Sequence, residues 1–438
     1  MIAIDIVNRL TALEGQRSTL DNTLDIIEQF VVPYRGRFFN PESQENEIDW
    51  RKRDIYDSTA VYAADTLSAS IQGALVSAGS KWFTFRFRQD ELNDSEEAIE
   101  WLQDCEEKTY HALEDSNFDV ETSEFFLDLV SYGTCIITQE VDENGDLDFS
   151  AIPMKEIFFE MDRKGQVKRL YRRLRWTALQ IFDKFGKDHT PKVILDKLDN
   201  AEEADTKHTV IFCVYDRPEN EDKDTSTVLT PDARPFGYKY ILKDSADEMG
   251  EEGGYYEMPA YVSRYRKVSG SQWGHSPAMV ALADILTLNE ITETTLEALA
   301  KVVDPATLTT ERGLLSDLDL ESGGLTVVRS LEDIKPYESR ARFDVGDIKI
   351  ERLQESINKA FHIDQLEMKN SPEMSATEAN IRYELMQRLL GPTLGRQKTD
   401  FLDPCVTRTF NSLSRADRFK EMPEIVKEYQ GELQVEYV

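Results

Sequence analysis

Residues 261–305 read YVSRYRKVSGSQWGHSPAMVALADILTLNEITETTLEALAKVVDP. Tyr261 to Val268 is rich in aromatic and β-branched side chains and continues a strand expected from Tyr255. A polar turn with Gly270 and Gly274 follows, and Pro277 suits the first position of a helix. From there Leu282, Ile285, Leu288, Leu296, Leu299 and Val303 recur at helical spacing as one apolar stripe. Glu290, Glu293 and Glu297 share a different face, and Asp304-Pro305 forces the chain out of helical geometry. An ordinary solvated face would explain the three acids without any function.

Upstream, Val7, Leu10, Leu20, Leu24, Ile27 and Val31 predict an N-terminal helix stopped by Pro33. A second helix is expected from about Asp54 to Ser77, and KWFTFRFR (81–88) alternates as a half-buried strand does. Asp94 with Glu97 suggests a capping box opening a third helix, and Val120 to Ser131 a fourth. The period then changes to two. CIITQEV and DLDFSAI flank Asn144-Gly145, a hairpin signal, and IFFEMD and QVKRLYRRLRW form a second hairpin. Thr177 to Phe185 reads as a short helix stopped at Gly186, and Thr190-Pro191 opens another. Strands are expected over Thr209 to Tyr215 and Gly237 to Lys243, joined by exposed acidic loops at Glu219 to Asp224 and Asp244 to Glu252. Downstream, Asp304 to about Phe343 is irregular and β-prone. Val345 to Phe361 and Ser375 to Phe410 are helical, the latter with Gly391-Pro392 as a kink.

Length and composition set the class. The chain has 438 residues, 40% of them hydrophobic and 31% charged, which describes a globular protein with room for a sizeable core. No apolar run approaches the roughly 20 residues that a bilayer crossing needs. The first residues read as an amphipathic helix rather than a signal peptide, so synthesis is expected in a cytoplasm. Cys105, Cys135, Cys213 and Cys405 lie far apart, which predicts buried core thiols rather than disulfides or a zinc site. The net charge of −32 should repel DNA over most of the surface, whereas an ordinary nucleic-acid binder presents a basic face.

The local motifs argue against an enzyme. Asp142 to Asp148 superficially resembles a calcium loop, but glycine falls fourth instead of sixth and Pro153 stands twelfth, so a hairpin turn is favoured. On a strand, Arg169, Arg173 and Arg175 face one side and Lys168 and Arg172 the other, which favours pairing with neighbouring acids over one phosphate site. GxSxG, Walker A, HExxH and dinucleotide fingerprints are all missing from the sequence. No catalytic or metal-ligating residue and no cofactor is proposed.

These stretches together resemble the head-to-tail connector (portal) family of short-tailed bacteriophages. Residues 261–291 are similar to the family's strand, aromatic-Gly-x-x-Pro turn and helix ending in Leu-Asn. Val303-Asp304-Pro305 with ERGLL and SGGLTVV, then MSATEANIRYELMQRLLGPTLGRQKTDFLDP, and upstream KWFTFRF and LVSYGTCIITQEV, match in the same order. Two features depart from the pattern. His275 stands where a basic or small polar residue is expected, and the chain stops at VEYV where relatives continue into further helices.

The resemblance implies an α+β portal fold. Residues 1–270 would form a helical and β-stranded wing, 271–303 a first stem helix, 304–344 a small clip and 345–362 a second stem helix. Residues 363–374 would be a tunnel loop, and 375–438 a long wing helix and the start of a C-terminal region. It further implies a homo-oligomeric ring, a dodecamer, at the capsid vertex of the virion, assembled in the host cytoplasm with capsid and scaffold proteins. Double-stranded DNA would pass through it during packaging and ejection, driven by a separate motor ATPase. Glu290, Glu293 and Glu297 would face the channel from the stem, and Met368, Lys369 and Asn370 from the tunnel loop. Glu311, Arg312, Asp317 and Asp319 in the clip would dock the terminase large subunit and later the tail adaptor. The competing readings are an acidic metal-dependent hydrolase and a tail or scaffold protein without a channel.

Overall fold

The computed structural model describes residues 2–35, 55–77, 79, 81–141, 146–163, 165–198, 201–220, 229–303, 307–309, 334–336, 343–366, 390–428 and 433–437. The first helices are α1 (Ala3–Phe30) and α2 (Thr59–Leu75). Strand β1 (Phe83–Phe87), the short α3 (Asp90–Asn93), α4 (Glu96–Glu114) and α5 (Phe118–Tyr132) follow. Two hairpins come next: β2 (Thr134–Val141) with β3 (Leu147–Ala151), and β4 (Ile157–Met161) with β5 (Val167–Thr177). Then come α6 (Ala178–His189), α7 (Lys192–Leu198), α8 (Ala201–Ala204), β6 (Lys207–Asp216), β7 (Phe236–Leu242), β8 (Asp247–Tyr255) and β9 (Ala260–Arg264). The last part holds α9 (Pro277–Val303), β10 (Thr307–Thr309), β11 (Ile334–Pro336), α10 (Phe343–Ala360), α11 (Ile363–Leu366), α12 (390–397), α13 (Asp403–Arg415), α14 (Glu424–Glu428) and β12 (Leu433–Tyr437). The fold is α+β, and no described helix is long and apolar enough to cross a membrane.

Two antiparallel sheets organise the middle of the chain. One has five strands in the order β4-β5-β6-β7-β8, and the other three in the order β3-β2-β9. The first half of α1 lays Ala3, Ile6, Leu10 and Leu13 on one face of the larger sheet, against Phe158, Tyr171, Ile211 and Ile241. The opposite face packs Phe159, Leu170 and Val214 against Ile136, Ala260 and Val262 of the smaller sheet. The second half of α1 leaves the sheet. Leu24 and Ile27 enter the main core with α2, α4, α5 and the first half of α9.

Arg17 marks the crossover between these two halves. It is 2% exposed, and its guanidinium donates to the carbonyls of Met154 (2.8 Å), Ile157 (2.7 Å) and Lys155 (3.2 Å). Asp21 lies 2.7 Å away, and the Phe158 ring centroid 3.8 Å below. Burial lowers its pKa to about 10, which still leaves it charged at neutral pH. A buried charge persists only when it is paired and hydrogen-bonded, as the carbonyls and Asp21 provide here.

A second lock lies between the main core and α9. Gly133 ends α5 with φ +78°, a conformation that disfavours any side chain. Gly274 crosses it so closely that a Cβ there would stand 2.0 Å from the Gly133 carbonyl oxygen. The Gly274 N–H donates to Thr134 Oγ1 (2.8 Å), and the Ser276 hydroxyl donates to the Ser131 carbonyl (2.8 Å). Ser276 also accepts from Met279 N (3.0 Å), which caps α9 just before Pro277. Trp273 packs edge-on against Phe159. The aromatic-Gly-x-x-Pro motif is therefore a backbone crossing, a cap and an anchor.

Most expected elements are present, with definite corrections. The Asp244–Glu252 segment is not an exposed loop, because most of it belongs to β8, the edge strand beside β7. Its acids and glycines disguise it, yet Gly253 leaves room for the Tyr238 ring, where a Cβ would approach within 2.2 Å. The expected Tyr255–Val268 strand is shorter, β9 alone, since Tyr255 belongs to β8. Helix α2 begins at Thr59 and not Asp54, with Asp57 accepting from Thr59 N (2.8 Å). No capping box forms at Asp94, because Ser95 occupies the cap position without a side-chain bond; the box that does form is Thr177 with Gln180.

Near the C-terminus the departure from α geometry among the described residues comes at Lys398–Leu402, a π-helical turn, while Gly391 and Pro392 lie within α12. Asp403 N donates to the Lys398 carbonyl, which accommodates Pro404 and its missing N–H. All four cysteines are buried and unpaired, as expected. Arg169, Arg172 and Arg173 pair with Glu160, Glu156 and Glu14.

Two substitutions test these locks. Arg17→Met strands buried carbonyls and Asp21 and is expected to cost about 3–5 kcal/mol in urea unfolding. Gly274→Ala meets backbone that no rotamer change can move and should cost about 3 kcal/mol or more, read as a lower unfolding midpoint.

Candidate functional site

Helices α9 and α10 pack side by side. Asp284, early in α9, accepts from Ser356 Oγ late in α10 (2.7 Å), while Gly346, early in α10, lies beside Thr295 late in α9. The two helices therefore run antiparallel, with the β10–β11 ladder at the far end of the pair. Their packing follows from the apolar spacing: Ile285 and Leu288 on α9 and Leu353 and Ile357 on α10 are all buried.

The expected apolar stripe of α9 splits into two fates. Ile285 and Leu288 join the main core, whereas Leu296 (49%), Leu299 (46%) and Val303 (77%) are exposed although they continue the same face. The first turns of α9 rest on the body, and the last turns project beyond it.

A latch from the start of the described 55–77 segment holds the pair. Tyr56 N donates to Asn289 Oδ1 (2.8 Å), and the Tyr56 hydroxyl donates to Glu293 Oε1 (3.1 Å). Asp57 Oδ2 accepts from Gln354 Nε2 (2.8 Å) on α10. Asn289, only 9% exposed, thus explains the Leu-Asn pair that closes the motif. Nothing in the local sequence at Tyr56 or Asp57 announces this role, since all three partners lie more than 200 residues downstream.

This geometry separates the three glutamates. Glu290 and Glu297 are exposed, while Glu293 is half-buried and engaged by Tyr56. Met368, Lys369, Asn370, Glu311, Arg312, Asp317 and Asp319 lie outside the described residues, as do Asp304-Pro305 and the start of the expected 375–410 helix. The segment expected as a loop from Ile363 opens with a helical turn, α11. His362, between α10 and α11, has φ +60°, and burial together with the nearby Arg266 holds its imidazole below the usual pKa. At the base of the pair, Arg396 donates to the Tyr265 carbonyl (2.9 Å) and ties α12 to the strand that precedes α9. Among the described residues no group of three or more His, Cys, Asp or Glu side chains converges as a metal site would.

Comparison with known proteins places this arrangement. A family model described as bacteriophage head to tail connecting protein matches residues 4–438. The probable portal protein of Bordetella phage BPP-1 is 26% identical, over 99% of this chain and 78% of the relative. The portal protein of Salmonella phage epsilon15 is 21% identical, over the same shares of the two chains. The chain belongs to the bacteriophage head-to-tail connecting protein family.

Proposed function

We propose that this chain is the repeating subunit of a portal, a ring at one capsid vertex through which double-stranded DNA is packaged and ejected. The match over residues 4–438 carries this reading. In the ring, a dodecamer, α9 and α10 form the stem, residues 1–270 the wing and 304–344 the clip. The clip residues Glu311, Arg312, Asp317 and Asp319 dock the terminase large subunit and then the tail adaptor. Capsid and scaffold proteins surround the wing during assembly in the host cytoplasm. Packaging is powered by a separate ATPase.

Glu290 and Glu297 face the DNA path in this reading, with Glu293 set aside as part of the latch. Each phosphate neutralised by a protein cation adds affinity, and affinity is friction to a moving duplex. A net charge of −32 and a carboxylate-bearing stem keep that friction low. Met368, Lys369 and Asn370 touch the DNA in passing as a check valve.

Negative-stain images of the purified chain should show rings with a central hole; persistent monomers at high concentration would overturn the portal reading. Assembled Glu290→Lys/Glu297→Lys rings should bind duplex DNA more tightly, with a steeper loss of affinity as salt rises. Unchanged binding and unchanged packaging would place these residues away from the channel. Asn289→Ala should lower stability by about 1–2 kcal/mol in thermal unfolding, since it leaves Tyr56 N without its acceptor.

A further inference from the structure

Between the two sheets lies a cleft of about 820 Å³, large enough for a small ligand. Three half-buried tyrosines on the larger sheet line it, Tyr238 and Tyr240 from β7 and Tyr255 from β8. The Tyr238 ring lies 4.9 Å from that of Tyr255 and nearly perpendicular to that of Tyr240, 6.2 Å away. Gly253 on the edge strand provides the space that Tyr238 occupies. Facing them from β2 on the smaller sheet is Glu140, which accepts from the Tyr255 hydroxyl (2.8 Å).

We propose that this cleft binds a diffusible organic cation, a primary ammonium or guanidinium on an aliphatic chain, with its charged head beside Tyr238 and Tyr255 and paired with Glu140. Ring faces carry partial negative charge, and aromatic rings beside a carboxylate attract a cation. Glu140 has no ion-pair partner among the described residues. Burial holds its carboxyl above the usual range, although the Tyr255 bond and the charges of Arg408 and Lys184 pull the other way.

The neighbouring cations act on Glu140 from a distance and make their direct contacts with other groups. Arg172 pairs with Glu156 at 3.2 Å. Arg408 lies 5.5 Å from the Tyr255 ring centroid and donates to the Glu257 carbonyl. Lys184 shows what the cleft selects: its ammonium sits 4.6 Å from the Tyr240 ring centroid and 5.0 Å from that of Trp176. It also donates to the Tyr240 hydroxyl (3.2 Å), which leaves Tyr238, Tyr255 and Glu140 to a second cation. An anion would have to displace one of these contacts and approach Glu140.

Calorimetric titration of the full chain with n-butylammonium and n-butylguanidinium tests this, with 1-butanol as the uncharged analogue and inorganic phosphate as the anionic one. Both cations should bind saturably, and butanol at least about tenfold more weakly. Glu140→Gln and, independently, Tyr238→Leu should each weaken cation binding about tenfold, and Lys184→Met should strengthen it severalfold. Butanol binding as well as the cations, phosphate binding in their place, or Tyr238→Leu leaving cation affinity unchanged would overturn the proposal. None of these outcomes depends on ring formation, so failure of the portal reading would remain a separate result.

Discussion

The crossing of two backbones at Gly133 and Gly274 is the constraint on which the arrangement of the molecule rests. Four elements meet there: α5 ends, β2 begins, β9 has just finished and α9 is about to start. Hydrogen bonds from Gly274 to Thr134 and from Ser276 to Ser131 fix the crossing from both sides. The cap at Ser276 then sets the direction of a 27-residue helix, about 40 Å long. A small angular error at its first turn would be multiplied at its tip. The chain places its least tolerant packing where a lever arm begins.

The elements with a clear period were legible in the sequence, and those whose reason lies in a distant partner were not. Residues 277–303 form a helix because leucine and isoleucine recur at helical spacing between a proline and Asp304-Pro305. The two hairpins follow from alternation around short turns. Strand β8 was hidden because its glycines and acids are poor strand formers alone; pairing with β7 and the Tyr238 ring supplies what its own side chains lack. The start of α2 was misplaced because Tyr56 and Asp57 serve α9 and α10 instead of continuing their own helix. The stripe of three glutamates was visible as a pattern, but the engagement of Glu293 depends on Tyr56, which no local rule brings near it.

The charge distribution has a similar logic. The basic residues of β5 are consumed by acids of the same chain, Arg169 by Glu160 and Asp216, Arg172 by Glu156 and Arg173 by Glu14. Arg217 is spent on Glu252, whose carboxyl falls to about 2, burial notwithstanding, because Tyr215, Arg217 and Lys239 bond to it. Arg415 grips Glu257 with two nitrogens. With 51 basic against 83 acidic residues, internal pairing of this kind leaves the surplus acid to the surface. A large negative charge thus coexists with a folded interior because the repulsion is held at the periphery, where water and salt screen it.

Strand β1 adds a constraint of timing. Among the described residues, its aromatic sequence FTFRF pairs with β12 alone, about 350 residues downstream, in register from Phe83 with Tyr437 to Phe87 with Leu433. On the ribosome, this strand emerges early and waits for its partner until about 350 further residues have been made. Closing so long a loop is slow, and a short aromatic strand with a free edge is prone to pair with other chains in the interval. Arg86 beside Asp90 breaks the apolar run on the exposed side and acts as a gatekeeper during that wait. A strand made late thus closes the edge of one made early.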